Sequence, residues 1–185
     1  MAARKKQNFP VDRIRHFMEP GPIVLVSSAH KGERNIMTMG WHMVLEQNAV
    51  GCFIWDQNHS RDLIRKSREC VINVPTADMA KTVVAIGNCS GRETDKFATF
   101  GLTPVEADKV GAPLIGECHA NLECRLVDTS MIRKYSLFVF EVVKAHAVAR
   151  PRFPETMHYH GEGMFSAAGR TLDMRKHFRP DMLKA

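Results

Sequence analysis

Between Ile23 and Ala147 the chain is cut into short apolar, β-branched runs by Gly, Pro and polar turns, with no regular alternation of strand and helix. Ile23 to Ser28 reads as a strand, His30-Lys-Gly-Glu33 as a turn, and Asn35 to Leu45 as the returning strand of a hairpin. Val50 to Trp55, Cys70 to Val74, Ala120 to Val127 and Leu137 to Ala147 follow, the last beginning Leu-Phe-Val-Phe-Glu-Val-Val with aromatic and β-branched character throughout. Short helices interrupt them. Pro10 to Met18 reads as a helical turn or two stopped by Glu19-Pro-Gly-Pro22. Ser60 suits the N-cap of a helix from Arg61 to Arg68, Asp78 that of Met79 to Ile86, and Thr94 that of Asp95 to Phe100. Six or more strands with short helices between them predict a mainly β fold with helical insertions, a β-barrel, because a parallel sheet needs regular crossovers.

With 185 residues, 44% of them hydrophobic, and no second block of different composition, a single domain over residues 1–185 is expected, its first eight residues a flexible basic tail. No apolar run approaches the roughly 18 to 20 residues that span a bilayer, and Met1-Ala-Ala-Arg-Lys-Lys-Gln lacks the apolar stretch of a signal peptide. A cytoplasmic protein with no membrane contact is therefore expected. The net charge of +6 is spread along the chain, and its one dense run, Arg4-Lys5-Lys6, is short. An anionic cofactor and ordinary solvated charge explain it better than nucleic acid, which is not expected as a partner. The five cysteines are odd in number and form no Cys-x-x-Cys. Cys118 and Cys124, the closest pair, stand about 20 Å apart along a strand, against the roughly 6 Å a disulfide allows, so buried free thiols are expected.

Three stretches carry the chemistry: Asn35-Ile-Met-Thr-Met-Gly-Trp41, Asn58-His-Ser-Arg61 and Ser90-Gly-Arg-Glu-Thr-Asp-Lys-Phe97. Together they offer what a flat apolar ring bearing a polyol and a phosphate dianion needs. A phosphate wants hydroxyl and backbone N–H donors at a helix start and at least one cation, the types supplied by Ser60, Arg61 and Lys96. On residue types alone Ser60 reads as a plain N-cap and Lys96 as a solvated helix lysine, and Arg65 and Arg68 mark the helix as basic in general. The ring end needs a flat contact. Trp41 offers one, or else fills the core. Alternation puts Asn35, Met37, Met39 and Trp41 on one face of the strand and Thr38 and Gly40 on the other, Gly40 permitting close backbone approach.

In these stretches the chain resembles the flavin reductase-like family of FMN-binding split-barrel proteins, especially its flavoredoxin-like branch. The likeness runs from Gly21-Pro-Ile-Val-Leu-Val through Asn73-Val-Pro75 and Ala112-Pro-Leu-Ile-Gly-Glu-Cys-His-Ala-Asn-Leu-Glu-Cys124 to His158-Tyr-His-Gly-Glu-Gly163. It implies an FMN-binding split β-barrel in which Ser60 and Lys96 hold the phosphate. Asn35 and Trp41 contact the flavin, with the backbone of Met37, Thr38, Met39 and Gly40 beside the ring. Two departures stand out. Tyr135 replaces a family His and Phe140 a Gly, so Tyr135 is left to offer a hydroxyl to the polyol or phosphate. Gln47-Asn-Ala-Val50 replaces a Pro-Pro, which is expected to reshape a loop near the ring.

His158 and His160 make an incomplete metal site. The resemblance instead makes their segment a loop that closes over the flavin at a subunit interface, with Phe165 a ring contact. Neither a Ser-His-Asp order nor a paired-carboxylate motif supports hydrolysis. The function expected is an FMN-dependent oxidoreductase, a homodimer reducing flavin with NAD(P)H or passing electrons to a partner protein. Without Gly-x-Gly-x-x-Gly, a nicotinamide has to stack on the flavin and not in a Rossmann site. An FMN-binding shuttle or sensor without nicotinamide activity is the alternative, and a pyridoxamine-phosphate-oxidase-like enzyme a weaker third.

Overall fold

The computed structural model describes residues 3–13 and 21–183. The expected helix from Pro10 to Met18 lies largely outside them, and its described start is a 3-10 turn at Val11–Arg13. The short strand β1 (Gln7–Phe9) is followed by β2 (Val24–His30), β3 (Glu33–Met39), β4 (His42–Glu46) and β5 (Ala49–Phe53). Helix α1 (His59–Ser67) leads into β6 (Glu69–Val74), and α2 (Ala80–Gly87) and α3 (Lys96–Thr99) form the helical middle. The short pair β7 (Pro104–Val105) and β8 (Leu114–Ile115) precedes β9 (Ala120–Asp128). Then come α4 (Ile132–Tyr135), β10 (Leu137–Ala147) and the hairpin β11 (Met157–Gly161) and β12 (Met164–Ala167). No helix among the described residues is long and apolar enough to cross a membrane.

The main sheet is antiparallel, in the order β3-β2-β6-β9-β10-β5-β4, with β1 on the far part of β10. Its first and last strands are consecutive in sequence, joined only by Gly40 and Trp41. A sheet whose two edges are two residues apart has to curl until those edges meet, which makes a barrel split at one seam. The expected single strand from Asn35 to Leu45 is thus two strands: β3 pairs with β2, and β4 pairs with β5. The bend is tight at Gly40, where a Cβ would stand 2.8 Å from Ile23 Cδ1. β10 can serve β9, β5 and β1 because two register shifts, at Val139/Phe140 and Val142/Lys144, bend it round the barrel.

Alternation along β2 divides the core. Val24 and Val26 point into the barrel with Met37, Met39, Cys52, Ile72 and Phe140. Ile23 and Leu25 point outward against Val83, Ile86 and Phe97, beneath α2 and α3. β2 is buried on both faces, which is why its sequence reads as an unbroken apolar run. Phe140, in place of a family Gly, is fully buried inside the barrel, nearly parallel to Phe138 at 6.2 Å. The five cysteines are free, and four are buried.

Three caps differ from expectation. Asn58 precedes α1, so Ser60 lies within the first helical turn. Asp95, not Thr94, caps α3, its carboxylate accepting from the N–H groups of Phe97 at 3.0 Å and Ala98 at 3.3 Å. Met79 precedes α2, while Asp78 sits in a 3-10 turn bonded to Thr76 and Arg4. Nor are residues 1–8 wholly a free tail. Gln7 and Asn8 belong to β1, the Arg4 N–H donates to the Gly116 carbonyl, and the Lys6 ammonium reaches the same carbonyl at 2.7 Å.

Candidate functional site

At the seam the backbone from Met37 to Trp41 lines a cavity of about 410 Å³, closed by Phe53, Trp55 and Asn58. Its wall is aromatic and thioether surface, and none of its lining side chains titrates. Trp41 is 72% exposed and tilted against Phe53 at 5.0 Å, so it is not a core residue. A second cavity of about 310 Å³ shares Met37, Thr38, Trp55 and Asn58 with the first and continues to Asn35, Ser90, Gly91 and Lys96. One compartment is apolar and flat-walled, and the next is polar.

The polar compartment is built from three elements. Asn35, on β3, donates through Nδ2 to Ser60 Oγ at 2.9 Å, while its buried Oδ1 has no hydrogen-bond partner among the described residues. Gly91 packs against that amide so closely that a Cβ would lie 2.0 Å from Oδ1. Lys96, only 5% exposed, donates to the Ile86 carbonyl at 2.8 Å, a carbonyl in the last turn of α2. No carboxylate pairs with Lys96 among the described residues. Burial lowers its pKa below the usual lysine value, and the Cys89 thiol, which also borders the cavity, acts in the opposite direction. A partly desolvated ammonium without a counter-ion is a place where an anion gains more than it would in water.

Of the residues expected here, Asn35, Met37, Thr38, Met39, Gly40, Trp41 and Lys96 are brought together. Ser60 lies behind Asn35, fully buried, and acts on the cavity through that amide. Arg61 is turned away. Its Nη1 donates to the Ile54 carbonyl at 2.8 Å and Ser136 Oγ at 3.0 Å, and it borders a different cavity. Tyr135 borders neither compartment and lies exposed at the end of α4 beneath the Lys134 ammonium. Phe165 packs in its own chain on the outer core and against Tyr159 at 4.8 Å. The expected loop around it is a hairpin in which His158 bonds Thr156 and His160 bonds Ser166. Gln47 and Asn48 turn the chain just before β5, about 17 to 20 Å of strand from Phe53, so within one chain they do not shape the ring compartment. Phe53, Trp55, Asn58 and Gly91 are among the further lining residues, with Gln57, His59 and the turn from Asn88 to Ser90. Trp55 had a signal, since it shares Phe53's face by alternation at the end of a strand.

Residues 15–168 match the flavin reductase like domain, and the chain belongs to that family. The uncharacterized protein YddH of Escherichia coli K12 is 33% identical over 168 residues, 82% of this chain and 89% of that protein. In fold, the chain resembles an FMN-binding domain of a flavin reductases-like enzyme from Shewanella baltica, with a TM-score of 0.86 at 23% identity over 94% of this chain and 99% of the other. The flavoredoxin of Desulfovibrio vulgaris (Miyazaki F) follows with a TM-score of 0.75 at 22% identity, over 82% and 88%. The architecture is that of the split-barrel flavin reductase-like proteins.

Proposed function

We propose that the paired cavities bind FMN and that the protein is an oxidoreductase taking electrons from NAD(P)H. The observation that carries this reading is the buried Lys96 ammonium, which lacks a carboxylate and faces a polar compartment continuous with a flat aromatic one. The residues present fit the cofactor. Lys96 and the turn at Ser90 and Gly91 would hold the phosphate, the unpartnered Asn35 Oδ1 would accept from a hydroxyl, and Trp41, Phe53 and Trp55 would flank the ring. Bound FMN supplies the redox chemistry. The protein's part is placement: the ring compartment offers no titratable side chain, so it orients and desolvates while leaving proton transfer to solvent.

The exposure of Trp41 and of Trp55 leaves the ring compartment open on one side, room for a nicotinamide stacked on the ring. The same openness suits a second reading, an FMN-binding electron shuttle or sensor that meets a partner protein there. Anaerobic stopped-flow with FMN-loaded protein separates the two. Rapid bleaching of the flavin band by NADH or NADPH is expected, and bleaching by neither would leave the shuttle. The site itself is tested by Lys96→Ala, which should weaken FMN by roughly 1.5 to 3 kcal/mol, the range of a charge-assisted hydrogen bond, and leave riboflavin nearly unchanged. Flavin fluorescence titration measures both, and equal losses would remove Lys96 from the phosphate site.

A further inference from the structure

A cavity of about 570 Å³ shares no lining residue with the two at the seam. Arg61 and Arg65 reach it from one face of α1 at the i, i+4 spacing, Arg68 from the left-handed residue that ends that helix, and Arg133 from α4. Among the described residues no acidic side chain lines it. The carboxylates nearby in sequence are engaged elsewhere: Asp62 with Arg92, Glu69 with Arg125, and Asp128 with the N–H of Ser130. Two of the four guanidiniums are held in place by the protein, Arg61 as described and Arg68 through Nη2 on the Leu126 carbonyl at 2.9 Å. Arg65 and Arg133 have no hydrogen bond or ion pair among the described residues. Four permanent cations converging on one space repel one another unless an anion joins them.

The rest of the lining narrows the class of anion. Leu126 and Ile132 add apolar surface and Thr129 a hydroxyl, in a volume far beyond a bare phosphate and within the usual range for small organic ligands. Planar guanidiniums over an apolar floor suit an aromatic ring that carries phosphate. Position matters as well. Arg65 and Arg68 lie seven and ten residues beyond Asn58, a wall of the ring compartment, or about 10 and 15 Å along α1. We propose that this cavity receives the 2′-phosphorylated adenosine end of the electron donor, which selects NADPH over NADH. The inference rests on the nicotinamide-dependent reading above.

The test measures binding without turnover. Apo protein and the double variant R65A/R133A are titrated calorimetrically with 2′,5′-ADP, 5′-AMP, inorganic phosphate and FMN. Both replaced side chains are exposed and without a hydrogen-bond or ion-pair partner among the described residues, so the variant should melt with wild-type protein. Wild type is expected to bind 2′,5′-ADP about tenfold or more tighter than 5′-AMP, and the variant to lose that binding about tenfold while retaining FMN, the scale of lost charge-assisted contacts. Undetectable 2′,5′-ADP binding, or equal binding to both proteins, overturns the site. Inorganic phosphate matching 2′,5′-ADP would overturn the nucleotide and leave a plain anion patch. A parallel loss of FMN in the variant would also overturn it, by assigning the arginines to the flavin phosphate. If instead FMN fails to bind while the 2′,5′-ADP results hold, the flavin reading falls and the arginine site stands.

Discussion

Gly91 and Asn35 meet where only a hydrogen atom fits, and that contact sets the orientation of an amide whose other side is held by Ser60. Gly91→Ala would force the Asn35 side chain away from Ser60 Oγ and into the polar compartment. A loss of about tenfold in FMN affinity is expected, with only about 1 to 2 kcal/mol of stability lost, since the displaced group is an amide at a cavity wall. Fluorescence titration and thermal melting read the two separately, and unchanged FMN affinity would show that the amide plays no part in binding. At this scale the sequence was informative about residue types and less so about directions. Ser60 and Arg61 are adjacent, but successive helical side chains diverge by about 100°, so one supports Asn35 and the other enters a different cavity. Lys96 reads as an ordinary surface lysine until the fold places it against Ile86. Trp55 borders both compartments at the seam, so quenching of tryptophan fluorescence by flavin cannot be assigned to Trp41 alone.

Among the elements, β10 was legible to the residue because eight of its eleven positions are aromatic, β-branched or apolar and no Gly or Pro interrupts them. The break between β3 and β4 was hidden, because the alternating pattern of residues 35–45 runs through Gly40 and Trp41 without a polar interruption. The junction of β8 and β9 carries a pH dependence. His119 is buried at the start of β9, and burial, followed by the charges of Arg4 and Lys6 in the N-terminal segment, lowers its pKa to about 4. The unfolded chain takes up this proton near pH 6.5 while the folded chain resists it. Its contribution to stability is therefore complete above pH 6.5 and declines as the pH falls toward 4. An NMR titration of His119 should show its midpoint near 4, and a midpoint near 6.5 would remove the effect. His119→Phe should flatten that part of the melting-temperature profile.

For the whole molecule, the edge strand β4 and the residue before it present Met43, Leu45 and Trp41 to solvent, Trp41 on the rim of the ring compartment. Apolar side chains on an unpaired edge favour a second copy, and a homodimer built on this face would add the partner's surface to the rim of the ring site while leaving the Trp55 side open. Sedimentation should find a dimer, Met43→Lys should shift it toward monomer, and FMN affinity should fall on dilution through the dissociation range. Full-strength FMN binding by the monomer would show that the partner contributes nothing to the site. The seam has a mechanical side as well. Strand-to-strand hydrogen bonding passes from β3 round the barrel to β4 but does not bridge those two edges. A ligand lodged there rests on Met37 and Met39 on one edge and, across the seam, on Trp41 ahead of the other edge and Phe53 on the strand behind it. It works as a clasp, fastening a band that is otherwise left open at the buckle.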